Sequence, residues 1–133
     1  MREEVIFELK SLYRDIMRVR AFEFGAGEPA ACIIGATRGN EVQQLFICSQ
    51  LVKALKQLES QGKVAEGKKV TVVPTINNYS FNINKRFWPT DNTDINRMFP
   101  GYSLGETTQR IAAGVFEKIK DYEYGIQFAS FYF

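Results

Sequence analysis

Apolar positions along the chain change their spacing several times, and this spacing predicts alternating strands and helices. Residues 30–36 form a continuous apolar run, which is typical of a strand buried on both faces, and residues 69–74 are rich in β-branched side chains, which also predicts a strand. Between these runs, residues 41–60 carry apolar side chains at helical spacing with lysines on the opposite side, which predicts an amphipathic helix. Further along, Ser103 and Glu106 have the spacing of a capping box that opens a second helix.

The remaining segments fit less uniform patterns. Residues 4–16 fit both a strand and one face of a helix, whereas residues 19–24 predict a strand that ends at a glycine-rich turn. Residues 75–102 predict a long irregular segment, and residues 124–133 predict a last strand. This order predicts an α/β fold, a mixed sheet with helices on both faces.

Composition restricts the class of protein. A length of 133 residues indicates a single domain, residues 1–133, with a sizeable core. The net charge of +2 is too small to indicate a nucleic-acid partner, and no apolar run is long enough to cross a membrane. Cys32 and Cys48 fall in predicted core elements, as reduced cysteines of a cytoplasmic protein do.

The turn after the first buried strand contains the most informative motif. Residues 35–41 read Gly-Ala-Thr-Arg-Gly-Asn-Glu between a predicted strand and a predicted helix, where α/β proteins often place their chemistry. Two other segments accompany it, Asp-Ile-Asn-Arg-Met-Phe-Pro-Gly at residues 94–101 and Ile-Gln-Phe-Ala-Ser at residues 126–130. The chain contains no histidine, so no histidine-based metal site or nucleophile is available.

Together these three segments resemble motifs of the succinylglutamate desuccinylase/aspartoacylase family, whose patterns are Gly-x-x-His-Gly-Asn-Glu, Asp-Leu-Asn-Arg-x-Phe-Pro-Gly and Ile-Asp-Leu-His-Ser/Thr. The resemblance implies the N-terminal part of a zinc-carboxypeptidase-like fold. It also implies an ancestry among zinc-dependent amide hydrolases that act on N-acyl amino acids or peptides. The family's general-base glutamate lies in a later segment, so we expect no catalytic residue here and little or no activity from this chain.

The resemblance places the family's three zinc ligands at Arg38, Glu41 and Ala129. Only Glu41 has a side chain that binds metal, whereas catalytic zinc takes three protein ligands and an open position. Gln127 replaces an aspartate that supports the ligands in the family. We therefore expect a degenerate zinc site and no cofactor in this chain.

Two alternatives are open for Arg38. An arginine is permanently charged and forks onto carboxylates, so an Arg38–Glu41 pair would fill the vacated metal site. Alternatively, Arg38 points to solvent and pairs with nothing.

The substrate side of the motif is better preserved. The resemblance assigns Arg86, Asn96 and Arg97 to the grip on the substrate's carboxylate, and arginine and asparagine are suitable donors for it. The alternative is structural, with Asn96 and Arg97 tying the loop to backbone carbonyls and Asp94 as a salt-bridge partner.

Three functional hypotheses follow from these patterns. The first is a deacylase-like protein that has lost its zinc site, and the second is a regulatory module that binds carboxylates. The third is an interaction subunit that pairs through its apolar C-terminal strand, residues 124–133, with another copy or with a missing C-terminal half.

Overall fold

The strands form one mixed sheet within residues 1–12 and 14–131, which the computed structural model describes. Its five strands are β1 (Arg2–Ser11), β2 (Arg14–Gly25), β3 (Glu28–Ala36), β4 (Lys68–Thr75) and β5 (Tyr124–Gln127), in the spatial order β1-β2-β4-β3-β5. Strands β1, β2 and β4 are antiparallel neighbours, whereas β3 runs parallel to both β4 and β5. The helices are α1 (Val42–Ser60), α2 (Asn78–Asn82) and α3 (Thr107–Ile119), with a 3₁₀ turn at Ile95–Arg97.

Helices cover both faces of this sheet, as the pattern predicted. On one face α1 packs Cys48 against a cluster that includes Ile33 and Val72. On the other face α3 contributes Ile111 and Val115 to the larger cluster. The predicted α/β architecture is therefore confirmed.

The ambiguous N-terminal segment is a strand. Ile6 and Leu9 of β1 are buried, and β1 pairs antiparallel with β2 along most of its length. Alternate residues of β2, namely Met17, Val19 and Ala21, are also buried, so the hairpin buries one face. Tyr13, part of the alternative helical pattern, lies outside the described residues.

The predicted capping box at Ser103 is wrong. Helix α3 begins at Thr107 with Glu106 as its N-cap, and the Glu106 N–H donates to the Gln109 side-chain oxygen over 2.9 Å. A turn closed by the Gly105 N–H on the Tyr102 carbonyl, 3.1 Å, precedes the helix. This turn holds Ser103 before the helix, so the capping interaction falls three residues later.

The C-terminal strand is shorter than predicted. It ends at Gln127, after which the Phe128 N–H still donates to the Ile34 carbonyl over 3.0 Å. The chain then leaves the sheet because Ser130 binds Glu41. Tyr132 and Phe133, the end of the predicted strand, lie outside the described residues.

Both cysteines are buried and unpaired, in agreement with the sequence prediction. Among the described residues, no helix is long and apolar enough to cross a membrane.

Candidate functional site

The motif residues meet at one edge of the sheet, because three parallel strands end there. Ala36 at the end of β3 lies opposite Thr75 of β4, and Ile34 lies opposite Gln127 of β5. The segments that follow these strands therefore start side by side. In α/β proteins this carboxyl edge is where ligands bind.

The Glu41 carboxylate is saturated with hydrogen bonds. Its Oε1 accepts from the Thr37 N–H at 3.0 Å, the Thr37 hydroxyl at 3.2 Å and the Arg38 N–H at 2.8 Å. Its Oε2 accepts from the Ser130 N–H at 3.1 Å and the Ser130 hydroxyl at 2.7 Å. A carboxylate has about four acceptor positions, so these five donors occupy all of them.

Arg38 is buried and pairs with Asp94, not with Glu41. Its Nε and Nη2 donate to Asp94 Oδ2 over 3.1 and 2.9 Å, and its Nη1 donates to the Ser130 carbonyl over 3.4 Å. Only 4% of Arg38 is exposed. Both sequence alternatives, a guanidinium paired with Glu41 and a solvent-facing arginine, are therefore wrong.

Asp94 was expected to form a salt bridge, but the sequence did not indicate that its partner is Arg38. Besides binding Arg38, it accepts the Asn96 N–H on Oδ1 over 3.1 Å and caps the 3₁₀ turn. An aspartate side chain in a turn commonly accepts the backbone N–H of the residue two positions later, so this local hydrogen bond was predictable. The pair with Arg38 was not, because 56 positions separate the two residues.

The residues of the predicted carboxylate grip lie in the loop segment that carries Asp94. The Arg86 carbonyl accepts the Gly39 N–H over 3.1 Å, and Asn96 Oδ1 accepts from Gln127 Nε2 over 2.7 Å. Arg97 is exposed at the end of the 3₁₀ turn. Asp94 was expected to pair within this loop in the structural alternative, but its ion pair is with Arg38.

A close contact at Gly39 positions the loop. A Cβ on Gly39 would lie 2.1 Å from the Lys85 carbonyl oxygen and 2.4 Å from Ser80 Cβ, so only glycine allows this approach. Buried Asn77 supports the same contact from α2, donating to the Thr37 carbonyl over 3.5 Å and accepting the Ser80 N–H over 3.3 Å. The loop thus lies directly on the segment that leads to Arg86.

These residues do not fit a zinc ion. No cluster of three or more metal-binding side chains occurs in the described part of the chain. The acceptor positions of Glu41 are filled, and the Arg38 guanidinium, a permanent cation, binds the carbonyl of Ser130, whose N–H and hydroxyl bind Glu41. Ala129, which the resemblance places at the third ligand position, has no ligand atom in its side chain.

Comparisons with known proteins agree with the family resemblance of the motifs. A family model described as succinylglutamate desuccinylase/aspartoacylase catalytic domain matches residues 28–127. An N-alpha-acetyl-L-2,4-diaminobutyric acid deacetylase from Halomonas elongata is 30% identical over 84 residues, which cover 63% of this chain and 23% of the relative.

Solved structures share the fold. An aspartoacylase family protein from Mesorhizobium loti superposes with a TM-score of 0.73 at 28% identity, covering 87% of this chain and 36% of its own. A succinylglutamate desuccinylase from Silicibacter has the same TM-score of 0.73 at 21% identity, covering 97% of this chain and 39% of its own. The chain therefore spans less than half the length of these relatives.

Proposed function

Since the chain belongs to the succinylglutamate desuccinylase/aspartoacylase family, we propose that it is a deacylase-type domain without zinc that binds carboxylate-bearing molecules and does not hydrolyse them. Its relatives include a deacetylase, which acts on an amide bond. The chain would therefore bind the same class of molecule as the family but would lack zinc-dependent hydrolysis.

The buried Arg38–Asp94 pair is the observation that carries this proposal. Asp94 is 14% and Arg38 5% exposed at the side chain, and their closest atoms are 2.9 Å apart. A buried pair of this kind is costly to break, because either ion alone would remain uncompensated. A zinc ion beside Glu41 would require Arg38 to leave this pair and Glu41 to give up its donors.

The carboxylate-binding part rests on Arg86, Asn96 and Arg97. Asp94 neutralises the charge of Arg38. Arg86 and Arg97 would therefore supply the positive charge that binds the ligand's carboxylate. The Arg86 guanidinium carbon lies 4.8 Å from the centre of the Phe87 ring, a contact that orients its planar group. Asn96 is fixed by Gln127 and Asp94, which reduces the entropy lost on binding.

Metal analysis tests the loss of zinc. Purified protein incubated with zinc and desalted is expected to retain a substoichiometric amount, whereas Arg38→His combined with Ala129→His should gain zinc affinity. Lys56→His, on the exposed side of α1, is the matched control for an added histidine. One zinc per wild-type chain would contradict the proposal.

Calorimetric titration tests carboxylate binding. N-acetyl amino acids and small dicarboxylates are expected to bind with dissociation constants near ~1 mM, and Arg97→Gln should weaken binding about tenfold. Lys56→Gln removes an equal charge from α1 and should leave the affinity unchanged. If millimolar ligand gave no heat of binding, Asn96 and Arg97 would serve only to hold the loop in place.

An amidase assay separates binding from hydrolysis. With N-acetyl amino acids and added zinc, the pure chain is expected to give no turnover above the buffer rate. Zinc-stimulated amidase activity that co-purifies with the protein would contradict the proposal that the chain is inactive.

A second candidate, pairing through the last strand, is favoured by the exposure of β5. All four residues of β5 are exposed, with Tyr124 at 63% and Ile126 at 52%. Among the described residues β5 pairs only with β3, which leaves its outer edge open to another strand.

Mass measurement over a range of protein concentrations tests this pairing. Association between copies is expected to raise the mass with concentration, and Ile126→Lys should abolish the rise. A strict monomer at all concentrations would contradict pairing between copies.

A further inference from the structure

A second cleft lies at the tip of the β1–β2 hairpin, away from the loop that carries Arg38 and Glu41. It has a volume of about 330 Å³, within the range of small-ligand sites. Its polar lining comes from both strands of the hairpin, the 75–102 segment and the start of α3. The polar residues are Lys10, Ser11, Arg14, Thr90, Thr107 and Arg110.

Three cations meet in this cleft without a carboxylate. Lys10, Arg14 and Arg110 are exposed, and none forms an ion pair with a residue in the described part of the chain. Asp15, the next residue after Arg14, does not line this cleft but lines a neighbouring open cleft, to which Arg14 also contributes. Three like charges around one cavity repel one another, and an anion between them would relieve that repulsion.

Elsewhere on the hairpin the arginines are matched. Arg18 donates to Glu8 over 2.9 Å, and Arg20 and Arg2 pair with glutamates on the opposite strands in the same way. Cross-strand pairs of opposite charge are a normal means of stabilising a sheet. On the hairpin, the cations that form no ion pair with a described residue therefore lie at the cleft.

The neutral part of the lining also suits an anion. Ser11, Thr90 and Thr107 line the cleft and carry hydroxyl groups that can donate hydrogen bonds. Thr107 is the first residue of the thirteen-residue helix α3, whose N-terminal N–H groups are capped by the Glu106 side chain, so the cations carry the charge argument.

We infer that this cleft binds a small phosphate-class dianion. Two arginines and a lysine match the charge and the forked geometry of phosphate oxygens better than they match a single carboxylate. A volume of about 330 Å³ equals the share of roughly ten waters in the liquid, which accommodates phosphate or pyrophosphate. The wall formed by Trp88 and Tyr79, stacked 5.5 Å apart, keeps one side of the cleft rigid.

The cleft lies at the same end of the sheet as the first site. Phe22 of β2 lies opposite Val72 of β4, so the start of β2 extends beyond the last residue of β4. Thr90 and Trp88 belong to the same long segment as Arg86 and Asn96. Ligand in this cleft would therefore contact the part of the segment that lies between Arg86 and Asn96.

Trp88 is the sole tryptophan of the sequence, so its fluorescence reports on the cleft directly. Titration with sodium phosphate or pyrophosphate at constant ionic strength is expected to give a saturable change with an apparent Kd near ~1 mM. Arg14→Gln and Arg110→Gln should each weaken binding about tenfold. Far-UV circular dichroism confirms that these exposed substitutions leave the fold intact.

Three comparisons decide the outcome. Lys56→Gln on α1, across the sheet, should keep wild-type affinity. Succinate tests whether any dianion suffices, and its binding should depend on Arg97 and not on Arg110. A linear, unsaturable response to phosphate, or an equal loss in Lys56→Gln, would overturn the proposal, whereas loss of succinate binding alone would count only against the carboxylate grip.

Discussion

Glu41 and Ser130 are joined by two hydrogen bonds across 89 positions of sequence. The Ser130 N–H and hydroxyl both donate to Glu41 Oε2, and the neighbouring Ser130 carbonyl accepts from Arg38. The end of the chain is thereby tied to the turn after β3. Glu41, which the resemblance places at a metal-ligand position, therefore anchors a peptide segment in this chain.

Removing the Ser130 hydroxyl tests this anchor. Ser130→Ala deletes the 2.7 Å bond to Glu41 and leaves a buried carboxylate with one donor fewer, so we expect the free energy of unfolding to fall by about 1–2 kcal/mol. Urea denaturation measures it. Ser49→Ala, at an exposed helical serine bonded to the Phe46 carbonyl, is the control and should be neutral or stabilising because alanine favours helices. Equal losses in both variants would contradict the anchor.

The buried ion pair gives a larger effect. Asp94→Asn leaves the Arg38 guanidinium, whose side chain is 5% exposed, without its counter-ion, and we expect the free energy of unfolding to fall by about 3–5 kcal/mol. Asp91→Asn, at an exposed turn, should change stability by less than ~0.5 kcal/mol. In the double variant Arg38→Leu/Asp94→Asn the loss should be smaller than the sum of the two single losses. Additive losses would show that the residues do not interact.

Local patterns predicted most of the fold but only part of the site. Strands β3 and β4 were predicted because they are rich in apolar and β-branched residues, and helix α1 because its apolar residues recur at helical spacing. The motif residues were correctly placed after strands that end at the same edge of the sheet. The partner of Arg38 was missed because Asp94 lies 56 positions away, and no local pattern indicates which of several carboxylates a cation will meet.

The same limit applies to the end of the chain. Residues 128–131 have the apolar composition of a strand, yet the bonds from Ser130 to Glu41 draw them out of the sheet. Tertiary contacts of this kind override local propensity. For the hairpin cleft, the sequence shows Lys10, Arg14 and Arg110 only as scattered charges, which the topology brings together.

Gly39 should not tolerate a side chain. Gly39→Ala would place a Cβ 2.1 Å from the Lys85 carbonyl oxygen, so the loop must separate from the 80–86 segment at a cost of about 1–3 kcal/mol. Gly125→Ala is the control, because its Cβ meets nothing within 4 Å. Thermal unfolding should show a lower Tm for Gly39→Ala only. Similar Tm values for the two variants would contradict the close approach.

Both thiols should be unreactive in the folded protein. Burial raises the pKa of Cys32 and of Cys48 to about 11, so at pH 8 only about one thiol in a thousand is ionised. A chromogenic disulfide reagent is expected to label neither cysteine of native protein over minutes and both in denaturant. Rapid native labelling would show that one of the two is accessible.

Glu23 should make stability depend on acid pH. Burial alone would raise the pKa of this carboxyl, but hydrogen bonds from Arg2 and from Lys69, the latter at 3.1 Å, hold the pKa below its ordinary value. A carboxyl whose pKa is lower in the folded state stabilises the protein above the unfolded pKa, near ~4.3, and loses that contribution as the pH falls through the folded pKa.

Glu23→Gln should therefore lower the free energy of unfolding by about 1–3 kcal/mol at pH 7 and by progressively less below pH ~4. Urea denaturation of both proteins across this pH range measures the difference, with Glu117→Gln on the exposed side of α3 as the control. A wild-type advantage that stays constant down to pH ~2 would show that Glu23 titrates alike in the folded and unfolded states.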